Sequence, residues 1–217
     1  MGFIDIPTEQ TTAVTDAILA VMVIAVAVYL HRIGQKNRWK TTLWIWVCGL
    51  LALSAILGTI VHGFEISKAF QTFLWHPIYL SLGLLVALFI VAVVYDIWGE
   101  AIARRVLPIM VVIGVGFFGI TLVRPNSFLI FIIYEAVVMF FALGGYIWVS
   151  YRGHLEGAWL MAVGILVTII AAGVQASKAF SLTFIWSFDH NGIYHLIQMV
   201  AIALLGAGLR KALFSRV

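Results

Sequence analysis

Histidine is the residue type most able to do chemistry in this chain, and four of the six histidines fall near the ends of apolar stretches. They are His62, His76, His190 and His195. Imidazole is the commonest neutral metal ligand and also carries protons near neutral pH. Acidic residues lie nearby: Glu65 follows His62 by three positions, Asp189 precedes His190, and Glu135 lies within a long apolar run. An ionisable group in such a run is costly in lipid and normally faces a cavity or a partner.

Three protein ligands and a water are typical of a catalytic zinc, whose bound water becomes a nucleophile near neutral pH. His62 and His195 are the first candidate ligands, with His76 or His190 as the third. Glu65, Glu135 or Asp189 would act as the general base or support a ligand. Spacing places His62 and Glu65 on one helix face. These residues predict a metal-dependent membrane hydrolase with a histidine-rich site and a zinc cofactor.

The composition places this chemistry in a membrane. Hydrophobic residues make up 64% of the 217 residues and charged residues only 10%, against about 25% charged residues in soluble domains. The net charge of +4 is spread over short loops, which argues for membrane orientation and against nucleic-acid binding. Cys48 is the only cysteine, so no intramolecular disulfide is possible. The sequence predicts a single multi-pass domain (1–217) in an inner or plasma membrane, with the bilayer as its main partner.

Seven stretches are long and apolar enough to be helical spans, which predicts an all-α seven-helix bundle. They cover approximately 13–31, 42–63, 77–97, 106–123, 127–150, 157–176 and 191–212. The prolines Pro7, Pro77, Pro108 and Pro125 are expected outside these spans or in a first turn, where a missing N–H costs little. His76 is expected as the N-cap before Pro77, and Asp189 or Asn191 as the N-cap of the last helix.

Lysine and arginine alternate between the two sides of these spans. Ten basic residues fall on one side: Arg32, Lys36, Arg38, Lys40, Arg104, Arg105, Arg152, Arg210, Lys211 and Arg216. The other side has three, which are Lys68, Arg124 and Lys178. Because basic loops stay in the cytoplasm, we expect the N-terminus outside, the C-terminus inside, and the four histidines at the extracytoplasmic end.

An internal repeat is also visible. Residues 63–70 read GFEISKAF and residues 173–180 read GVQASKAF, and both are followed by an aromatic stretch and then an Ile-Tyr pair. The order of these matches predicts a parallel repeat with a three-plus-one-plus-three layout. The halves would cover approximately 13–97 and 127–212, with span four (106–123) as the linker helix. Similar loop composition without a repeat is the alternative.

Simpler interpretations stay open. A histidine at a membrane boundary is often an interfacial residue, Asp189 is a plausible helix cap, and Lys68 and Lys178 can extend to the interface. A non-enzymatic transporter or sensor is a second hypothesis, in which the repeats enclose a small-ligand site and Glu135 titrates with the histidines. An accessory subunit that binds haem through paired histidines is a third. The sequence leaves the ligand and the oligomeric state open.

Two segments resemble the CREST superfamily of seven-helix membrane hydrolases, which includes alkaline ceramidases and the progestin and adiponectin receptors. The segment HNGIYHLIQ (190–198) is similar to the start of that superfamily's seventh helix, with His195 as the second histidine of its HxxxH motif. His62, at the end of span two, is similar to the superfamily's span-two ligand. The resemblance implies zinc and hydrolysis of an amide or ester bond in a lipid.

This chain departs from the superfamily's pattern at three positions. Asn191 stands where the first histidine of HxxxH belongs, and Gly58 stands where the serine one turn before His62 belongs. No aspartate occurs early in span three, where His76 stands instead. The resemblance therefore implies an altered ligand set: His62, His195, and either His76 or His190.

Overall fold

A computed structural model describes residues 2–124 and 128–214, and these form seven long α-helices. The helices are α1 (Pro7–Ile33), α2 (Arg38–Gly63), α3 (Lys68–Trp98), α4 (Glu100–Val123), α5 (Phe128–Tyr151), α6 (Ala158–Ser177) and α7 (His190–Phe214). A 3₁₀ turn (Gly34–Lys36) links α1 to α2. A short antiparallel hairpin, β1 (Leu182–Thr183) and β2 (Ser187–Phe188), precedes α7 and is the one departure from the all-α prediction.

All seven helices are long and apolar enough to cross a bilayer, which confirms the predicted spans. Several helices begin earlier than predicted. Their first turns are polar or aromatic, so a prediction based on apolar runs leaves these turns out. Helix α3 begins at Lys68 and α4 at Glu100, so Pro77 and Pro108 lie inside helices. The prediction that these two prolines lie in a first turn is wrong. Pro125 and residue 127, the predicted start of span five, lie outside the described residues.

The helix caps follow ordinary rules with two corrections. Ser67 caps α3 by accepting a hydrogen bond from the Phe70 amide (3.3 Å), so the prediction that His76 is an N-cap is wrong. Asp189 caps α7: its Oδ1 accepts from the amides of Asn191 (3.0 Å) and Gly192 (2.9 Å). Asn191 lies inside α7, which excludes it as the cap. Short polar side chains are preferred at N-caps because they satisfy the free amides of the first turn.

Large apolar side chains cover much of the outside of the bundle. On α4, Ile109 is 60% exposed, Val112 71% and Val123 79%. A surface of this kind is stable in lipid and unfavourable in water. The chain therefore has the make-up of an integral, multi-pass membrane protein.

Six of the helices pack in a ring. Helix α1 contacts α2 and α7, α3 contacts α2 and α5, and α6 contacts α5 and α7. Helix α4 packs against α3 outside this ring, where Gly83 and Gly114 let the two backbones approach closely. The apolar stretch of α3 is 61% buried, against 17% for α4. Helix α3 is thus the most enclosed helix of the bundle, and α4 is an outer helix.

A buried ion pair holds α2 to α3 at the end of the bundle opposite the histidines. The Lys40 ammonium donates to Asp96, and both side chains are almost fully buried. Tyr146 of α5 donates to the second carboxylate oxygen of Asp96 (2.8 Å). Because each buried charge has a counter-charge or a hydrogen bond, this cluster can stabilise the packing of three helices.

We predict that Lys40→Met lowers the free energy of unfolding by about 3–5 kcal/mol, because it leaves the Asp96 carboxylate buried without a counter-charge. The matched control is Arg104→Gln, which breaks the half-exposed i,i+4 pair with Glu100 and should cost less than about 1 kcal/mol. Thermal and denaturant unfolding of the purified protein in detergent measure both effects. Equal losses in the two variants would contradict this assignment.

Candidate functional site

The candidate site lies where α2 and α6 end and where α1, α5 and α7 begin, which we call the histidine end. His62 is in the last turn of α2, while His190 and His195 are in the first two turns of α7. Together they line one cavity of about 430 Å³, the wide cavity. Ligand pockets for small molecules commonly measure about 300–1,000 Å³. The wide cavity is therefore large enough for a small organic ligand.

His195 is buried and both of its ring nitrogens have partners on α1. Nδ1 lies 3.0 Å from the Thr15 hydroxyl, and Nε2 lies 3.3 Å from Oδ1 of Asp16. The hydroxyl can donate to Nδ1 or accept from it, so Thr15 accommodates a neutral or a charged imidazole. Nε2 faces the Asp16 carboxylate at ion-pair distance. These two contacts place the ring between Thr15 and Asp16.

Asp16 reaches His195 because α2 carries a glycine opposite it. A Cβ at residue 58 would lie 2.5 Å from Oδ2 of Asp16, so any side chain in place of Gly58 would collide with the carboxylate. Asp16 is 5% exposed and lines the wide cavity. Gly58 thus makes room for an acid supplied by another helix.

His62 forms the second acid–histidine pair of the site. Its Nδ1 lies 2.6 Å from Oε2 of Glu9 on α1, and its ring meets Trp75 of α3 edge-on. Both members of the pair are partly exposed, but only His62 lines the wide cavity. The cavity therefore has the carboxylate of Asp16 and the imidazoles of His62 and His195 from these pairs, while Glu9 contacts it through His62.

Amide and ammonium groups complete the polar part of the wide cavity. Gln175 of α6 donates to Asn191 Oδ1 (3.3 Å), while its own Oε1 is buried without a protein partner among the described residues. Lys178 and His190 also line this cavity. The remaining wall is apolar and includes Leu51, Leu82 and Phe131. The cavity thus combines a polar end with an apolar wall, as ligand sites commonly do.

Asp189 has a structural position. Besides the two α7 amides, its Oδ1 accepts a hydrogen bond from the Thr12 hydroxyl of α1 (3.1 Å). All three hydrogen bonds go to this one carboxylate oxygen, which lies between α1 and α7. The helix-cap interpretation of Asp189 is confirmed, and its contact with Thr12 ties α1 to the start of α7.

Four of the predicted site residues do not line the wide cavity: His76, Glu65, Glu135 and Asp189. His76 is exposed on α3 and stacks edge-on with Phe118 of α4, on the side away from α1 and α7. Glu65 is exposed beyond the end of α2, where its amide donates to Gly2 (2.9 Å). Because α2 ends at Gly63, the prediction that Glu65 shares a helix face with His62 is wrong.

Glu135 lies deeper, at the eighth position of α5, and is 4% exposed. It lines a second cavity of about 70 Å³, the narrow cavity, together with Gln198 and Tyr194 of α7. The two cavities adjoin, since Tyr194, Leu51, Leu82 and Phe131 line both. Lys68 and Lys178 are both exposed, and Lys178 lines the wide cavity rather than the narrow one.

The residues as placed do not fit a zinc ion. Within residues 2–124 and 128–214, no three His, Cys, Asp or Glu side chains lie close enough together to hold a metal. Both nitrogens of His195 already have partners, and Nδ1 of His62 is taken by Glu9. A metal would have to displace these partners and draw His190 inward.

Sequence reasoning missed the contribution of α1. Asp16 lies inside the first predicted span, and an ionisable residue at that position is itself a signal of a site. Glu9, Thr12 and Asp16 follow an i, i+3, i+7 spacing that places them on one helix face. That spacing predicts a polar stripe pointing into the bundle, whereas its partners on α2 and α7 depend on tertiary packing.

Comparison with known proteins gives one match. A family model described as a family of unknown function, DUF6962, matches residues 11–213. No curated protein and no solved structure matches the chain. Since the match spans all seven helices, the chain belongs to the DUF6962 family.

Proposed function

We propose that this protein binds a small amphiphilic ligand in the wide cavity, as a transporter or sensor. The observation that carries the proposal is the pairing of Asp16 with His195 and Glu9 with His62 along one cavity of about 430 Å³. Each pair can donate and accept hydrogen bonds, and each changes its charge by one proton. The ligand class that fits is a molecule with a neutral polar head and an apolar body.

The lining supports this choice of ligand. The Asp16 carboxylate, the imidazoles and the Gln175 amide offer both donors and acceptors, which suits an amide or hydroxyl head better than a single charge. Leu51, Leu82 and Phe131 continue towards the narrow cavity and offer apolar contact to an alkyl or aromatic body. In such a site, hydrogen bonds to the polar head set the orientation of the ligand, and burial of its apolar body supplies affinity.

A metal-dependent hydrolase of a lipid amide or ester is the second candidate. It is favoured by the resemblance to the CREST superfamily and by the presence of His62 and His195 on one cavity. The same cavity would then hold a lipid whose head lies beside the histidines. The misfit of the side chains to a zinc ion ranks it below simple binding.

We further propose the orientation and the repeat that the sequence predicts. The basic residues at the end opposite the histidines favour a cytoplasmic location for that end, even though Lys40 is neutralised by Asp96.

The ring contacts are compatible with a repeat: exchanging α1 with α5, α2 with α6 and α3 with α7 leaves the set of neighbouring helices unchanged. Helix α4 then serves as the linker outside the ring.

Ligand binding is testable by fluorescence, because Trp75 lines the wide cavity. We expect a brominated dodecanamide to quench tryptophan emission in detergent-purified protein, with less quenching in Trp75→Phe. His62→Leu should weaken binding roughly 10–100-fold, the effect of losing one charge-assisted hydrogen bond. Glu65→Gln, an exposed acid outside the cavity, is the control and should bind as the wild type does. Quenching that is the same in all four proteins would refute the site.

Metal analysis separates the two candidate functions. The binding proposal predicts that protein purified without chelator carries no stoichiometric zinc by mass spectrometry, because His62 and His195 keep their acidic partners. Stoichiometric zinc that is lost in both His62→Ala and His195→Ala, but kept in His76→Ala, would instead favour the hydrolase.

Orientation is testable with single cysteines, because the native Cys48 is buried. Phe184 (84% exposed) lies at the histidine end and Tyr151 (89% exposed) at the opposite end. We expect a membrane-impermeant maleimide to label Phe184→Cys in intact cells, and Tyr151→Cys only after permeabilisation. The reverse pattern would place the histidine end in the cytoplasm.

A further inference from the structure

The narrow cavity contains polar groups that the ligand proposal does not use. Oε2 of Glu135 and Oε1 of Gln198 are both buried, and no protein group in the described ranges lies within hydrogen-bonding distance of either. Glu135 is 4% exposed and Gln198 6%. An unpaired buried acceptor costs about 1–3 kcal/mol, and more if it is charged. Two such acceptors on one cavity indicate that something else satisfies them. The Trp44 indole N–H, a donor on the same cavity, also has no partner among the described residues, and a water retained by a bound ion can accept from it.

We propose that the narrow cavity binds a small monovalent cation, with Na⁺ as the best fit. Glu135 supplies the negative charge from α5, and Gln198 supplies an amide oxygen from α7. Thr168 of α6 and Tyr194 of α7 line the same cavity with hydroxyl groups. Carboxylate, amide and hydroxyl oxygens are the ligands that hard cations prefer.

Size and apolar surroundings limit what the narrow cavity can hold. Its volume of about 70 Å³ corresponds to roughly two water molecules at about 30 Å³ each, and a cavity that holds benzene is about twice as large. A partly hydrated ion fits this space and an organic ligand does not. Most of the other lining residues are apolar, such as Val47, Leu85 and Met139, so the ion would be shielded from water.

Protonation is the competing way to satisfy this site, because a protonated Glu135 has one O–H that can donate to an acceptor such as the Gln198 oxygen. A cation compensates the charge and accepts both oxygens as ligands. Glu135 lies about 10 Å along α5 from Phe128 at 1.5 Å per residue, so it is well inside the apolar part of the helix.

The position of the site links it to the wide cavity. Tyr194 lines both cavities, and its neighbour His195 belongs to the Asp16 pair. Gln198 lies one turn further along α7, on the same helix face as Tyr194 and His195. The cation site therefore lies directly beneath the acid–histidine pairs, although its existence does not depend on any ligand in the wide cavity.

The test is the melting temperature of the purified protein in detergent, with NaCl, KCl or choline chloride at constant ionic strength. We expect Na⁺ to raise Tm by about 3–5 °C over choline at ten times its dissociation constant. Glu135→Gln should abolish this rise, and Gln198→Leu should reduce it.

Gln175→Leu is the matched control, because Gln175 is also 6% exposed with an unpaired Oε1 but lines the wide cavity. It should keep the full response to Na⁺. If Glu135→Gln does not fold, the difference between the Na⁺-dependent Tm rise of Gln198→Leu and that of Gln175→Leu still tests the cation site. Equal Tm values in Na⁺, K⁺ and choline, or a Tm that responds to pH alone, would overturn the proposal. A failed amphiphile assay would leave these results unaffected.

Discussion

The carboxylate of Asp16 lies among apolar helices, and its need for a partner determines how α1 packs. Lipid offers no hydrogen bonds, so an acid on α1 must find its partners on neighbouring helices. Asp16 meets His195 on α7, and Glu9 meets His62 on α2. These contacts hold α1 between α2 and α7 and close the six-helix ring. The wide cavity exists because the ring closes around polar groups that cannot pack as tightly as apolar ones.

Buried charged groups have different partners at the two ends of the bundle. At the basic end, Lys40, Asp96 and Tyr146 satisfy one another in the interior, so that charge stabilises the packing of three helices. At the histidine end Asp16, His62 and His195 line an accessible cavity, and some polar atoms lack protein partners among the described residues. Functional sites commonly accept such local costs, which the rest of the structure must offset. The ion pair at the basic end contributes to that stability.

The proline rule misplaced Pro77 and Pro108. Apolar runs predicted most of the fold from the sequence, since a spanning helix needs little more than length and hydropathy. They failed at helix starts, where polar turns such as the one at Lys68 continue a helix beyond its apolar part. The site was only partly predictable. His62 and His195 were found by residue type, whereas Asp16 was missed and His76 was wrongly included. Which face of a helix meets which neighbour is a property of the ring, and no short motif encodes it.

The ring also places two buried acids opposite each other, and their surroundings differ. Asp16 on α1 has Nε2 of His195 3.3 Å from its carboxylate, so a protein group lies beside it. Glu135 on the opposite helix, α5, faces the narrow cavity with an oxygen that no described residue satisfies. An acid with a protein partner holds that partner in place, whereas one without a partner lowers the free energy of any cation that reaches it. The same residue chemistry on opposite helices therefore supports structure on one side and leaves a binding position on the other.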